Sequence, residues 1–247
     1  MPSEHDLHHL IGRIYDAGCG EDDWTTVLLG FGKALDAPVV ALQRPAEGSG
    51  GAIAVGTDPA HVRHYNSYYH RLLPTGPMLP RLPSGFVYVD RELVPDADYT
   101  RTEFYNDFLI PQDQHVSLSW LTQDRGGPSV ISLWRPRGRP DWGPQDRLFL
   151  HQMGPHLARA LEIERRLTAS VTNRARRLQQ SVAALSLRER DCLARLARGA
   201  STTAIAHYLD LPAATIDGHI EAAMRKLGVL TRAEAAAMAI LLGLIGP

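Results

Sequence analysis

Residues 185–245 read LSLRERDCLARLARGASTTAIAHYLDLPAATIDGHIEAAMRKLGVLTRAEAAAMAILLGLI, and the punctuation of this stretch decides the architecture of its part of the chain. Ser186-Leu187-Arg188-Glu189 fits a capping box: the serine oxygen accepts from the third helical N–H while the glutamate reaches back to the serine N–H. The helix it starts turns Leu187, Cys192, Leu193 and Leu196 inward and ends at Gly199, which supplies a left-handed cap. Ser201 caps a short helix over Thr202–Tyr208. That helix closes at Leu209-Asp210-Leu211-Pro212, because proline cannot continue a helix and disfavours helix at the residue before it. A third helix, Ala213–Leu227, buries Ile216, Ile220, Met224 and Leu227 and stops at Gly228. A second capping box, Thr231-Arg232-Ala233-Glu234, opens an Ala-rich fourth helix reaching Leu242. Four short helices with a tight turn between the second and third make a helix-turn-helix topology.

Upstream, the pattern is helical from Gln145 through Arg177 toward Ser181, with Gly154-Pro155 expected to start a new helix or kink this one. Leu157, Leu161, Glu164, Thr168, Val171, Ala175, Leu178, Val182 and Leu185 are spaced alternately four and three, a coiled-coil seam with two polar interruptions flanked by arginines. Two readings fit equally: a dimer-forming connector, or a helix docked on its own domain with a solvated arginine face. Further upstream, Asp6–Ala17 and Glu21–Leu35 carry helical apolar spacing. Short β-rich runs follow at Pro38–Leu42, Ala52–Val55, Gly85–Asp90, His115–Thr122 and Ser129–Trp134, with a helical candidate at Pro59–Leu73. The fold class expected is an α+β N-terminal sandwich, about five antiparallel strands flanked by helices, followed by an all-α four-helix domain. The boundaries expected are a sensing domain over 1–155, a helical connector over 156–183, and the helix-turn-helix domain over 184–247.

The 247 residues have ordinary globular composition, 44% hydrophobic and 21% charged. No run approaches the ~20 apolar residues of a membrane span, and MPSEHDLHHL lacks the basic-then-apolar order of a signal peptide, so a cytoplasmic protein with no membrane partner is expected. Cys19 and Cys192 have no ligand spacing, and the histidines His5, His8 and His9 read as helix-start surface, so no metal or cofactor is expected. A formal net charge of -1 argues against a nucleic-acid binder until it is divided by region. Residues 1–150 hold 13 Arg and Lys against 19 Asp and Glu, residues 151–183 hold 6 against 2, and residues 184–247 hold 7 against 6. The acidic charge is confined to the N-terminal part.

Leu185, Arg188, Glu189, Leu193, Gly199, Ser201, Ile205, Ala206, Leu209, Thr215, Ile216, His219, Lys226, Leu227, Gly228, Val229, Arg232, Glu234 and Ala235 together resemble the LuxR-type (FixJ/NarL-like) DNA-binding domain, nearly end to end over 184–247. The resemblance implies that Ala213–Leu227 is a recognition helix lying in the major groove. It places Thr215, Asp217, Gly218 and Glu221 toward DNA, with Arg225, Lys226, Thr202 and Thr203 toward phosphates. The chain departs from its relatives at Asp217, where many have lysine, at Glu221, where many are basic or small polar, and at Thr202-Thr203-Ala204, where Asn-Lys-Glu is frequent. Those two carboxylates suit either cytosine recognition, weak DNA binding reinforced by a dimer, or a tail that docks on protein.

Trp24 to Leu167, through TEFYNDFLIPQDQH (102–115) and HLARALEIERRL (156–167), resembles the PAS/GAF-like or autoinducer-type sensors attached to such tails. Autoinducer receptors place an Asp-Pro after a Trp/Tyr-rich helix, where this chain has Thr75-Gly76-Pro77, so a homoserine-lactone ligand is not expected. A phosphorylated receiver is not expected: Glu21-Asp22-Asp23 precedes a helix, and Lys33 lies inside one. An apolar pocket between sheet and helices is the expected sensing device, with Tyr65, Tyr69, Phe104, Tyr105, Phe108, His115 and Trp120 as candidate ligand contacts, each also a plausible core residue. No catalytic motif is present, so no enzyme is expected. The expected function is a ligand-responsive, homodimeric transcriptional regulator with DNA, an unknown small-molecule effector and RNA polymerase as partners. The alternative is a sensor whose tail is a protein-interaction module.

Overall fold

A computed structural model describes residues 4–45, 51–124 and 126–244, the Asp124 side chain excepted. Two helices open the chain, α1 (Glu4–Cys19) and α2 (Trp24–Leu35). The Asp23 carboxylate caps α2 by accepting from the Thr25 N–H at 2.9 Å. Strands β1 (Val39–Arg44) and β2 (Gly51–Val55) follow, then helix α3 (Pro59–Ser67), strand β3 (Val87–Val89), the single turns α4 (Asp90–Leu93) and α5 (Asp96–Tyr99), and strands β4 (Val116–Asp124) and β5 (Gly127–Arg135). A 40-residue helix, α6 (Pro144–Ala183), leads to α7 (Leu187–Ala197), α8 (Thr202–Leu209), α9 (Ala213–Leu227) and α10 (Arg232–Leu241). The chain divides into two compact units, 1–168 and 169–247, and the division falls inside α6.

The five strands form one sheet in the order β2-β1-β5-β4-β3, every pair antiparallel. The expected α+β sandwich is present. Side chains alternate across a strand, so Val40, Leu42, Val55, Leu118, Trp120, Ile131 and Leu133 share one face and pack with α1, α2 and the first half of α6. Val39, Ala41, Ala54, Tyr88, Leu121, Val130 and Trp134 share the other, under the segment that runs from α3 to β4.

Three expectations about the first unit need correction, and in the second unit Leu187, expected inward, is 80% exposed at the first position of its helix. Gly154-Pro155, expected to start a new helix or kink this one, does not start one: α6 runs through it as a single helix. A Cβ at Gly154 would lie 2.2 Å from Nε1 of Trp120, so the glycine lets the helix backbone sit on the indole. Phe149, Leu150, Met153, Leu157 and Leu161, on both sides of the proline, are buried in one core. At ~1.5–3 kcal/mol for each such side chain, that burial outweighs the ~3 kcal/mol cost of an internal proline. The helix expected over Pro59–Leu73 stops at Ser67, because Tyr68 leaves helical geometry at φ −138°, ψ −61°, and only a 3₁₀ turn follows at Tyr69–Arg71. The strand expected over Gly85–Asp90 shrinks to Val87–Val89 because Asp90 begins α4.

Glu164, which interrupted the apolar seam, ties α6 to the first unit. Its carboxylate accepts from Arg44 at 2.8 and 2.9 Å and from the Trp24 indole N–H at 3.2 Å. Past it the helix surface is open: Leu167 and Val171 are 48% and 70% exposed. The first part of the seam is therefore docked, its middle from Thr168 to Ala175 is solvated, and its last residue, Leu185, is buried in the core of the second unit.

Removing one partner of a half-buried ion pair leaves the other charge uncompensated. We predict that Glu164→Ala lowers the stability of the first unit by roughly 2–4 kcal/mol. All four tryptophans, Trp24, Trp120, Trp134 and Trp142, lie in that unit. Urea unfolding followed by tryptophan emission reads it selectively; an unchanged midpoint would show that the tie contributes nothing.

Candidate functional site

Two sites were expected, and each lies within one unit. In the first, the outer sheet face is unusually small-sided where β1 and β2 pair: Ala41, Ala52 and Ala54 stand where larger residues would fill the layer. The space left is a cavity of about 40 Å³ between those strands, α3 and the 104–114 segment. Phe104 and Phe108 come from a turn of π-helix at Phe104–Leu109. Their rings lie 5.4 Å apart, with Tyr65 at 6.4 and 5.9 Å and Tyr69 at 4.6 Å from Phe108. Tyr65, Phe104 and Phe108 line the cavity, while Tyr69 backs them.

The other candidates are elsewhere. Tyr105 packs on Tyr99 at 5.7 Å, its hydroxyl 3.3 Å from His115 Nδ1, and neither lines the cavity. His115 instead faces a polar cleft with Arg91, Arg135, Arg137 and Arg139, its Nε2 3.1 Å from Asp113. Trp120 is on the opposite sheet face, against Gly154, because it follows the even-numbered positions of β4 with Leu118. The sequence reading missed His61 and Trp134, which do line the cavity; the run of alanines opposite Val40, Leu42 and Val55 was the available signal.

Beside this cavity, on the same sheet face, the structure holds a buried polar chain. Ser132 and Ser119 hydroxyls are 2.8 Å apart, Ser119 and Ser117 3.2 Å, and Ser117 hydrogen-bonds the Asp90 carboxylate, which also accepts from Tyr99 at 3.0 Å. Tyr88 extends the chain to Ser119 and Thr75. Burial pushes Asp90 up to about 6, against the hydrogen bonds from Ser117 and Tyr99 that hold it down. The chain ends at Thr75, the residue before Gly76-Pro77, which stand where autoinducer receptors have Asp-Pro.

In the second unit, both capping boxes form, Ser186 with Glu189 and Thr231 with Glu234. Leu193, Ala223, Leu227 and Ala235 make one buried cluster, and Cys192, Ile205, Ile216 and Ile220 another. On α9 this leaves Thr215, Gly218, Glu221 and Arg225 exposed along one face. Thr203 is exposed and Thr202 half-buried at the start of α8.

Three of the expected DNA contacts, Lys226, Asp217 and Thr202, are engaged within the domain. Lys226, expected at phosphate, donates to both oxygens of Glu189 at 2.8 and 2.7 Å. Burial raises the pKa of Glu189, but the Lys226 ammonium and the Ser186 N–H together hold it below the ordinary carboxylate value. A buried carboxylate needs that partner. Asp217, expected to meet bases, accepts from Arg232 at 2.5 Å and from the Thr202 hydroxyl at 3.1 Å, and Arg232 also donates to Thr202 at 2.8 Å. These three side chains close a ring across the starts of α8 and α10 and the middle of α9. Arg232 was identified only as a resemblance position, and no spacing rule links it to Asp217.

Residues 183–239 match the GerE profile, described as bacterial regulatory proteins of the luxR family. This segment is a luxR-family helix-turn-helix domain. It is 44% identical over 66 residues to a putative HTH-type transcriptional regulator, y4qH, of Sinorhizobium fredii. That alignment covers 27% of this chain and 20% of the relative, about a fifth of its length. Among solved structures, the chain is similar to Escherichia coli SdiA at 16% identity and TM-score 0.40, over 100% of this chain and 94% of that one. It is also similar to the VqsR LBD domain of Pseudomonas aeruginosa at 14% identity and TM-score 0.47, over 64% and 95%.

Asp90 supplies a stability test. It titrates at about 6 in the fold against an ordinary 3.8, so the folded protein binds more protons than the unfolded chain between those values. Its contribution is fully present below about pH 4 and lost as pH rises through about 6. We predict that the stability difference between wild type and Asp90→Asn shifts by about 1–3 kcal/mol in the variant's favour from pH 4 to pH 7. Denaturation curves at four pH values measure it; a difference that does not change with pH contradicts the assignment.

Proposed function

We propose that the chain is a transcriptional regulator that binds DNA through the exposed face of α9 and responds to a small molecule held in the first unit. The observation that carries the DNA half is the luxR-family match falling on a helix-turn-helix whose α9 presents Thr215, Gly218, Glu221 and Arg225 outward. Gly218 supports it independently. A Cβ there would meet nothing within 4 Å of the rest of the domain, so packing does not require glycine. Glycine inside a helix is about 0.5–1 kcal/mol less favourable than alanine, a cost that close approach to an external surface would explain.

On this reading Thr215, Gly218 and Glu221 face bases, Thr203 and Arg225 face phosphates, and Asp217 with Thr202 positions Arg232 at the edge of the same surface. The rival, a tail that docks on protein, drew on two carboxylates. With Asp217 neutralised by Arg232, only Glu221 still speaks for it.

Gly218→Ala separates the two requirements. It is expected to raise the unfolding midpoint of the second unit while weakening retardation of DNA from its own promoter region by ten-fold or more. Asp217→Asn, which frees a positive charge, is expected to strengthen non-specific DNA binding and steepen its salt dependence by about one unit of log–log slope. Absence of retardation of any genomic fragment by the wild type at low salt would overturn DNA binding.

We place the protein in the cytoplasm as a homodimer, paired through the solvated part of α6, with RNA polymerase as a further partner once DNA is bound. Leu167 and Val171 are the apolar positions left open there. Leu167→Glu with Val171→Glu is expected to convert a dimer at micromolar concentration to monomer by sedimentation velocity. A wild type that sediments as monomer with and without DNA would refute the pairing.

A further inference from the structure

The run Arg135-Pro136-Arg137-Gly138-Arg139-Pro140 has no part in the proposed function, and its composition stands out in its surroundings. Three arginines alternate with proline and glycine where the first 150 residues carry 13 basic against 19 acidic side chains. The run leaves the end of β5 as a turn, with the Arg139 N–H donating to the Pro136 carbonyl at 3.3 Å. Gly138 sits in it at φ 88°, a left-handed conformation that glycine takes without strain. Arg135 anchors the turn from below. Its guanidinium donates to the Leu35 carbonyl at 2.6 Å and to Asp146 at 3.1 Å, and lies 3.8 Å from the centroid of the Trp142 ring. It also reaches the carbonyls of Pro140 and Asp141 at 3.3 and 3.4 Å. The turn so held closes a cleft of about 190 Å³ with Arg91 of α4 and with Tyr105, His115 and Val116.

Four arginines line this cleft, and they differ in what the fold asks of them. A guanidinium carries five N–H donors. Arg135 spends its own on the structure. Arg139 gives one to Asp36 at 2.6 Å and Arg91 one to Asp96 at 2.9 Å; both pairs are exposed, and such pairs hold weakly. Among the described residues, the Arg137 side chain has no hydrogen bond and no ion pair. The His115 ring is a wall rather than a free donor, its nitrogens lying 3.3 Å from the Tyr105 hydroxyl and 3.1 Å from Asp113. Asp113 itself is turned to that ring and to the Arg137 backbone N–H, and Asp141 is the one carboxylate on the lining. Like charges gathered on a concave wall raise the local potential and concentrate small anions there.

We propose that this cleft is a second small-molecule site, which takes the oxyanion of a small acid, carboxylate or phosphate, on the fork of Arg137 with Arg139 and Arg91 beside it. A planar guanidinium matches two oxygens of either group at once. The volume is below the roughly 300–1,000 Å³ of sites for drug-sized ligands, so the molecule is small, and Trp142, Pro136 and Pro140 offer its body an apolar wall. The cleft shares no lining residue with the cavity on the outer sheet face. The site therefore goes beyond the proposed function and does not rest on it.

The test uses the full chain at low salt and three probes with one ring in common: benzoate, phenyl phosphate and benzamide. Trp142 is the one tryptophan on the cleft lining, so binding is read by its indole N–H cross-peak, assigned with single Trp→Phe variants. Benzoate or phenyl phosphate at millimolar concentration is expected to move the Trp142 cross-peak and leave Trp24 and Trp134 in place; the tighter of the two names the oxyanion. Neutral benzamide is expected to bind about ten-fold more weakly or less. Arg137→Gln is expected to weaken the preferred anion about five-fold or more, and Asp141→Asn to strengthen it about two-fold. Arg63→Gln, which removes an exposed arginine of α3 outside the cleft, is expected to change nothing. A Trp142 cross-peak that neither anion moves, equal binding of benzamide, or an Arg137→Gln variant that binds like wild type overturns the site. A cross-peak moved by a short DNA duplex and by neither anion overturns it in favour of a nucleic-acid contact.

Discussion

The first unit depends on the contact between the Trp120 indole and the bare backbone of Gly154. Trp120 projects from the middle of the sheet, and Gly154 is the point at which α6 can come down on it. The apolar residues on either side of Gly154, Phe149 and Leu150 before it and Leu157 and Leu161 after it, then reach the same core as α2 and the inner sheet face. Any side chain at 154 would hold the helix away from the sheet and loosen all of them together. The ion pair of Glu164 with Arg44 and the indole bond from Trp24 secure the next two turns.

With the large apolar side chains on that inner face, the outer face carries the smaller and more polar ones. The alternation that sends Val40, Leu42, Leu118 and Leu133 inward necessarily sends Ala41, Ser117, Ser119 and Ser132 outward. The outer layer is therefore small or hydroxylated where the inner one is large and apolar. Part of it becomes a closed polar chain ending at Asp90, and part becomes the cavity beneath Tyr65, Phe104 and Phe108. One periodic rule in the sequence separates the large apolar face from the one that carries the polar chain and the cavity.

The same rule marks what could be read beforehand. Caps, glycine stops and the proline turn placed all four helices of the second unit, because those signals are local. Strand alternation located the sheet and its five members for the same reason. What escaped depended on contacts between residues distant in sequence. Gly154-Pro155 reads as a new start or a kink until Trp120 is known to lie under Gly154; Trp120 reads as one aromatic among several until its face is known. Tyr65, Phe104 and Phe108 were found as aromatics, but their partners His61 and Trp134 carry no motif. Lys226 and Asp217 read as surface charges because Glu189, 37 residues away, and Arg232, 15 residues away, were not seen as their partners.

Asp217 shows how such a partner changes an argument about function. A carboxylate at the centre of an α9 face that meets DNA would repel phosphate, and on charge alone it counts against binding. Bound to Arg232 and Thr202, it contributes a neutral, oriented unit instead of a free anion. The guanidinium retains donors beyond those spent on the ring, since a planar fork of five N–H groups is only partly used by one carboxylate oxygen and one hydroxyl. The pair therefore holds Arg232 at the edge of the α8–α9 surface in a fixed orientation, and on the proposed reading a phosphate would meet it at little entropic cost. The net charge of the domain is unaltered by this arrangement. Where the positive charge stands is what the fold decides, and a count of charges along the chain cannot contain that information.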